Sequence, residues 1–107
     1  MNLRETATLA SILSRKADNL SPQEVADLIL GVASGARKLS ELYISKANQP
    51  DGDDYRDSKI ADIENRVSFC AKKMGCTARF NNGQGYPVYI LGITGNTLDE
   101  DAGWGIL

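Results

Sequence analysis

The side chains available for chemistry are carboxylates, lysines, tyrosines and two cysteines, because the 107-residue sequence contains no histidine. Its absence removes the commonest general base and the nucleophile–histidine arrangements of hydrolases. Cys70 and Cys76 are six residues apart, which is not a zinc-ligand or redox-pair spacing. We expect Cys70 in the core and Cys76 to be the more accessible thiol. No carboxylate, lysine or tyrosine is singled out by spacing, so the sequence predicts a protein that is not an enzyme and uses no cofactor.

Two acidic clusters are candidate sites for a metal ion or a basic partner. The segment Asp51-Gly52-Asp53-Asp54 does not have a glycine at the sixth position or the closing glutamate of a calcium-binding loop, so we interpret it as a solvated linker. The second cluster consists of Asp99, Glu100 and Asp101. It either forms a hydrophilic turn between strands or faces a basic partner. We predict no metal site at either cluster.

A small basic group lies beside aromatic residues. Lys72, Lys73 and Arg79 come shortly before or next to Phe80 and Tyr86. Cations among aromatic rings are typical of sheets that bind single-stranded nucleic acid, where the cations contact phosphates and the rings stack on bases. The charge balance opposes this function, because residues 48–107 contain six basic and nine acidic side chains. Nucleic-acid binding is therefore the alternative hypothesis.

The glycine-rich segment Asn82-Gly83-Gln84-Gly85 predicts a β-hairpin turn. It lacks the Lys-Ser/Thr pair and the following helix that a phosphate-binding loop requires. An Asn-Gly pair between two apolar segments is a strong hairpin signal. The glycines are therefore explained by turn geometry.

Trp104 is the best single candidate for a contact residue. It lies between two glycines that leave its ring uncrowded, and tryptophan and tyrosine are enriched among interface hot spots. Tyr86 and Tyr89 are the other aromatic candidates in this part of the chain. The alternative for Trp104 is that it closes one end of the core.

Three helices are predicted to precede these residues. Apolar residues recur at three- and four-residue steps over residues 3–18, 22–47 and 56–74. The third helix is expected to be capped by Asp57 or Ser58 and to be stopped by a left-handed glycine after residue 74.

The second helix has the clearest start signal. Ser21 is a favourable N-cap, Pro22 suits the first helical position, and Glu24 can complete a capping box. Gly31 and Gly35 in its interior each cost about 1 kcal/mol relative to alanine. Because the apolar stripe stays in phase across both glycines, we favour one continuous helix.

The remaining segments predict strands. Residues 77–81 alternate, with Ala78 and Phe80 on one face, and residues 88–93 are apolar on both faces, as in a central or covered strand. Residues 104–107 are a candidate third strand. The predicted fold is α+β: three helices followed by a small antiparallel β-hairpin or three-stranded sheet packed on them. Residues 1–107 are predicted to form a single domain, with a helical part over 1–75 and a β-hairpin part over 76–107.

The second half of the sequence combines several turn features. These are the helix-ending Gly75, the strand Thr77–Phe80, the turn Gly83–Pro87 followed by an apolar strand, and the ending Gly103-Trp104-Gly105-Ile106. In these features the chain, from about Ile63 onward, resembles small uncharacterised α+β proteins encoded by bacteriophages and prophages. The turn lacks the Asp-Pro-Arg-Gly sequence that many of those proteins carry.

The resemblance implies a phage-type accessory protein, and such proteins commonly bind and modulate or inhibit a host protein, including defence-system proteins. The predicted partner contacts are Tyr86, Tyr89, Asp99, Glu100, Asp101 and Trp104. The alternative nucleic-acid contacts are Lys72, Lys73, Arg79 and Phe80.

Composition agrees with a globular protein outside the membrane. The chain is 42% hydrophobic and 24% charged, has a formal net charge of −2, and contains no apolar run long enough to span a bilayer. We expect a cytoplasmic protein with reduced thiols, in the bacterial host cytosol if the chain is phage-encoded. It is predicted to be a monomer, or a homodimer built on the second helix through the Gly31 and Gly35 notch.

Overall fold

Two helices followed by an antiparallel sheet make up the part of the chain that the computed structural model describes, namely residues 4, 10, 11, 13, 14, 19–82, 85–91 and 103–106. In chain order the elements are α1 (Pro22–Asn48), α2 (Asp54–Lys73), β1 (Thr77–Phe80), β2 (Val88–Leu91) and β3 (Gly103–Ile106). The strand order in the sheet is β1-β2-β3. The predicted α+β class is confirmed.

The predicted first helix, over residues 3–18, falls mostly outside the described residues. The structure thus describes two complete helices where the sequence predicted three. Five residues of the segment are described, and all have helical backbone: Arg4, Ala10, Ser11, Leu13 and Ser14. Ala10 and Leu13 are buried in the core.

The start of α1 is the predicted capping box. The Ser21 hydroxyl accepts a hydrogen bond from the backbone N–H of Glu24 at 3.2 Å, and the Glu24 carboxylate accepts one from the Ser21 N–H at 3.1 Å. That backbone bond is the main reason why the pKa of Glu24 is lowered. Two of the unpaired N–H groups at the helix start are therefore satisfied locally.

The helix α1 continues through both glycines, as predicted, and the structure gives the reason for them. A β-carbon on Gly35 would lie only 2.6 Å from Cγ2 of Val67 in α2, whereas one on Gly31 would lie 3.7 Å from Sγ of Cys70. Gly35 therefore allows the two helices to approach closely. Val67 and Ile63 of α2 pack against Gly35, whereas Gly31 stays exposed, and the homodimer through this notch remains a prediction.

The helix α2 begins two residues earlier than predicted. Its N-cap is Asp53, whose carboxylate accepts a hydrogen bond from the Arg56 N–H at 2.9 Å, so the predicted caps Asp57 and Ser58 were wrong. The acidic loop therefore caps α2 in addition to linking the two helices.

The end of α2 is the left-handed glycine stop that the sequence predicted. Gly75 has φ +75°, its N–H donates to the carbonyl of Lys72 at 3.0 Å, and the Cys76 N–H donates to the carbonyl of Ala71 at 2.9 Å. These two bonds form a Schellman motif, which reverses the chain into β1.

Arg56 joins the two helices and is the one charged residue in the buried set of the described chain. It is 4% exposed, and its Nη1 donates to the backbone carbonyls of Gln49 at 2.8 Å and Ser45 at 3.3 Å. Arg56 therefore holds the C-terminal end of α1 against the first turn of α2. Its Nε and Nη2 have no hydrogen-bond partner.

The strand β1 alternates as predicted, and β2, predicted to be a central or covered strand, is the central strand with no exposed residue. In β1, Thr77 and Arg79 are exposed while Ala78 and Phe80 are partly buried, and in the central strand β2 Val88 and Ile90 are completely buried. The core consists of Ala10, Leu13, Val25, Ile29, Val32, Ala36, Leu39, Tyr43, Ile60, Ile63, Val67, Ala71, Met74, Cys76, Val88 and Ile90.

The accessibility of the two cysteines is the reverse of the expectation. Cys76 is buried at 8% exposure, while Cys70 is partly exposed, and both thiols are free. The Schellman turn directs Cys76 inward immediately after α2. Burial raises the pKa of the Cys70 thiol, an effect that nearby Lys73 opposes.

The two α1 glycines should respond in opposite ways to alanine. Gly35→Ala should lower the free energy of unfolding by about 1 kcal/mol, because overpacking against a stiff β-branched valine outweighs the gain in helix propensity. Gly31→Ala should raise it by about 0.5–1 kcal/mol, because only the propensity gain applies. Urea denaturation of both variants measures the difference. Equal effects of the two substitutions would contradict the close contact.

The α2 cap gives a second matched pair. Asp53→Ala should cost about 1 kcal/mol of unfolding free energy, because the Arg56 N–H loses its acceptor. Ser58→Ala lies inside the helix and should change stability by less than about 0.5 kcal/mol. Thermal denaturation of the two variants tests this assignment, and a larger loss for Ser58→Ala would restore the cap that the sequence predicted.

Candidate functional site

Two tyrosines and an arginine lie together at the more exposed face of the hairpin. Arg79 of β1 pairs with Tyr89 of β2 across the antiparallel ladder, and directly opposite residues share a face of the sheet. The rings of Tyr86 and Tyr89 are 6.0 Å apart at an interplanar angle of 83°, an edge-to-face contact. Tyr86 is 41% exposed. This tyrosine pair is therefore an accessible aromatic feature held by ring packing.

A concave surface lies between the hairpin loop and the C-terminal half of α1. We name it the hairpin pocket; its volume is about 470 Å³, and its lining residues are Ser40, Tyr43, Ile44, Ala47, Asn81, Asn82, Gly85 and Pro87.

Backbone geometry positions the hairpin pocket next to the tyrosine pair. The Asn81 N–H donates to the Pro87 carbonyl at 2.9 Å, which closes the loop at its base. Gly85 has φ +105°, a conformation that favours glycine. A β-carbon there would lie 3.6 Å from the Tyr89 hydroxyl. The Tyr89 hydroxyl therefore lies beside Gly85, which lines the pocket.

The buried end of the pocket contains a hydrogen-bonded tyrosine. Tyr43 is 7% exposed and its hydroxyl donates to Oε1 of Glu64 at 2.6 Å. Burial first, and then the bond to Glu64, raises the pKa of Tyr43, so the ring remains a neutral hydrogen-bond donor. Ile44 lines the same pocket and is 59% exposed. Because none of the described lining residues is charged, the pocket suits an uncharged, partly apolar group.

The structure brings together only some of the predicted partner contacts. Tyr86 and Tyr89 are in contact, whereas Asp99, Glu100 and Asp101 lie outside the described residues. The backbone of Trp104 in β3 pairs with Ile90, and Gly105 pairs with Tyr89. In the strand register, Trp104 is thus at the position opposite a buried residue rather than opposite Tyr89.

The alternative nucleic-acid contacts are separated. Arg79 is exposed, but Phe80, the next residue, alternates to the other face and packs against the core. Lys72 and Lys73 lie in the last turn of α2, where Lys73 Nζ is 5.0 Å from the centre of the Phe69 ring. Phe80 therefore does not lie beside Arg79 as a free stacking platform.

Sequence reasoning missed the α1 side of the pocket. The apolar pattern over residues 22–47 predicts a buried stripe and does not by itself select Tyr43 or Ile44 as site residues. The available signal was Ile44 itself, because a large apolar residue directly after a stripe position falls outside the face that the stripe buries. Phe69, which is 59% exposed, was missed for the same reason.

Comparison with known proteins found no match: no family model, no curated protein and no solved structure matches the chain. Within the described residues, neither helix has the length and apolar character needed to cross a membrane. Over the same part of the chain, no group of three or more cysteine, aspartate and glutamate side chains is placed to hold a metal ion.

Replacing the pocket tyrosine should produce a pH-dependent effect. Tyr43→Phe should lower the free energy of unfolding by about 1 kcal/mol near neutral pH, because the bond to Glu64 is lost. The raised pKa of Tyr43 means that its contribution is complete below the unfolded-state value of about 10 and is lost as pH rises further. The difference between wild type and variant should therefore shrink above about pH 10.

Urea denaturation at about pH 8 and about pH 11 measures this difference, with both values chosen to bracket the ordinary tyrosine pKa. Tyr55→Phe is the control, because that ring is 76% exposed. A Tyr43→Phe effect that is the same at both pH values would exclude the proposed linkage.

Proposed function

We propose that the chain is a non-enzymatic interaction protein that binds a partner protein through the hairpin pocket and the adjoining tyrosine pair. The observation that carries this proposal is the combination of an accessible edge-to-face pair, Tyr86 and Tyr89, with a concave uncharged pocket at its border. Tyrosine anchors beside a pocket are typical of interface hot spots.

The lining of the pocket indicates the chemistry of the bound segment. The exposed Ile44 offers apolar contact, and the side-chain amide of the exposed Asn82 can donate to and accept from a peptide backbone. Arg79 lies opposite Tyr89 on the same face of the sheet and can pair with a carboxylate that reaches this face. A loop or extended segment with one apolar side chain and a nearby acidic residue fits this arrangement.

The resemblance to phage-encoded proteins supports a host protein as the partner. In this proposal the chain is a phage-type accessory protein in the bacterial cytosol, and it modulates or inhibits a host protein, including a defence-system protein, by occupying one of its surfaces. Asp99, Glu100, Asp101 and Trp104 remain predicted contacts of the same partner.

Nucleic-acid binding has less support. Lys72, Lys73 and Arg79 remain available as cations, but Phe80 is packed against the core. On this face the alternative therefore depends on Tyr86 and the partly exposed Tyr89 for stacking, and these are the two rings that pack edge to face.

A binding experiment with matched tyrosine variants tests the proposal. Immobilised wild type captures partners from bacterial lysate, mass spectrometry identifies them, and affinity is then measured with each purified partner. Tyr86→Ala and Tyr89→Ala should each weaken binding by about thirtyfold or more, because hot-spot truncations cost about 2 kcal/mol or more. Tyr55→Ala removes a more exposed ring from α2 and should leave the affinity unchanged.

The controls separate the possible outcomes. Circular dichroism establishes that each variant is folded. If folded Tyr86→Ala and Tyr89→Ala bind every captured partner as wild type does, the proposed surface is wrong. Saturable binding of single-stranded DNA that weakens with salt and with Arg79→Gln would instead favour the nucleic-acid alternative.

A further inference from the structure

A second concave surface lies between the two helices, on residues that the hairpin pocket does not use. Its volume is about 520 Å³. We name it the interhelical groove; α1 contributes Gly31, Ser34, Gly35 and Lys38, and α2 contributes Lys59, Ile63, Arg66, Val67 and Cys70. The two glycines leave the α1 wall without side chains, so the groove is open above the helix contact.

The charge of the groove has one sign. Among the residues that the structure describes, its lining includes Lys38, Lys59 and Arg66 and no acidic residue. At the rim, Lys38 forms an exposed ion pair with Glu41 at 3.6 Å. Elsewhere in the described chain, no ion pair within 4.0 Å involves Lys59 or Arg66, although Lys59 lies 5.9 Å from the centre of the Tyr55 ring.

This concentration of positive charge is opposite to the balance of the whole chain. Three cations line the groove in a protein whose net charge is −2. Two carboxylates lie near them: Glu41 pairs with Lys38 at the rim, and Asp62 is one helical turn from both Lys59 and Arg66, so the excess is one positive charge. Like charges around one groove repel each other, and a bound anion removes that repulsion. An anionic ligand therefore complements the local charge.

The apolar floor of the groove and its other polar groups further define the chemical class of the ligand. Ile63 and Val67 are buried beneath the groove, so the ligand meets an apolar surface there. Ser34 contributes a hydroxyl that donates and accepts. Arg66 contributes a planar fork of N–H donors that matches phosphate geometry. The volume falls within the range of about 300–1,000 Å³ typical of small-molecule sites.

We propose that the interhelical groove binds a small organic phosphate monoester. Lys38, Lys59 and Arg66 surround the phosphate, whose charge near neutral pH is about −1.5 to −2, and the organic part lies over Ile63 and Val67. This site is independent of the proposed partner-binding surface, because the two share no lining residue.

The test is an NMR titration of the full chain at low ionic strength. The probes are phenyl phosphate, adenosine monophosphate and glycerol phosphate, and the matched controls are phenol, adenosine and glycerol. We expect at least one ester to give saturable shifts of the Gly31, Ser34 and Gly35 amides, and the uncharged controls to give none. Added salt should weaken binding through screening.

Charge-removing variants locate the site. Lys59→Gln and Arg66→Gln should each weaken binding about fivefold, the equivalent of one exposed charge contact. Arg37→Gln removes an exposed cation of α1 outside the groove and should change the affinity by less than about twofold. The spectra themselves report whether each variant is folded.

Three results would overturn the site: no saturable shift with any of the three esters, saturable shifts that map away from α1 and α2, or equal weakening by Arg37→Gln and Arg66→Gln. The last result would mean that the esters respond to overall surface charge. None of these results bears on the partner-binding proposal, since the tyrosine variants test that separately.

Discussion

The separation of the two helices is set by the close contact between Gly35 of α1 and Val67 of α2. No side chain fits between the helices at this point. At that separation the apolar stripes of both helices are buried, with Val32, Ala36 and Val67 at 0–2% exposure. Dispersion and hydrophobic burial both depend on such close packing. The open interhelical groove above the contact is a result of the same missing side chain.

The sheet is attached to this helix pair by the turn at Gly75. Because β1 starts two residues after the left-handed glycine, its direction is fixed by the end of α2. The hairpin then brings its loop against Tyr43 and Ile44 in α1. The hairpin pocket therefore depends on tertiary structure, because it is formed by residues about forty positions apart in the sequence.

Local signals in the sequence predicted the elements well. The capping box at Ser21, the glycine stop at Gly75 and the alternation in β1 each depend on neighbouring residues, and each was confirmed. The cap of α2 was misplaced because Asp53, Asp57 and Ser58 have similar intrinsic capping preferences. What sequence reasoning missed depends on distant contacts: the burial of Arg56 and Cys76, the side of the pocket formed by Ile44, and the cations of the interhelical groove.

Arg56 has a consequence for the tolerance of the α1–α2 connection to change. The hydrogen bonds from Arg56 to the Ser45 and Gln49 carbonyls keep the end of α1 next to the start of α2. The loop residues between Gln49 and Asp53 are therefore not needed to keep these helix ends together. Gly52 has φ +66° and open space around it. Lengthening a flexible loop costs only about 0.6 kcal/mol per doubling. The tip of this loop is therefore a suitable place to insert a tag or reporter, distant in the sequence from the hairpin loop.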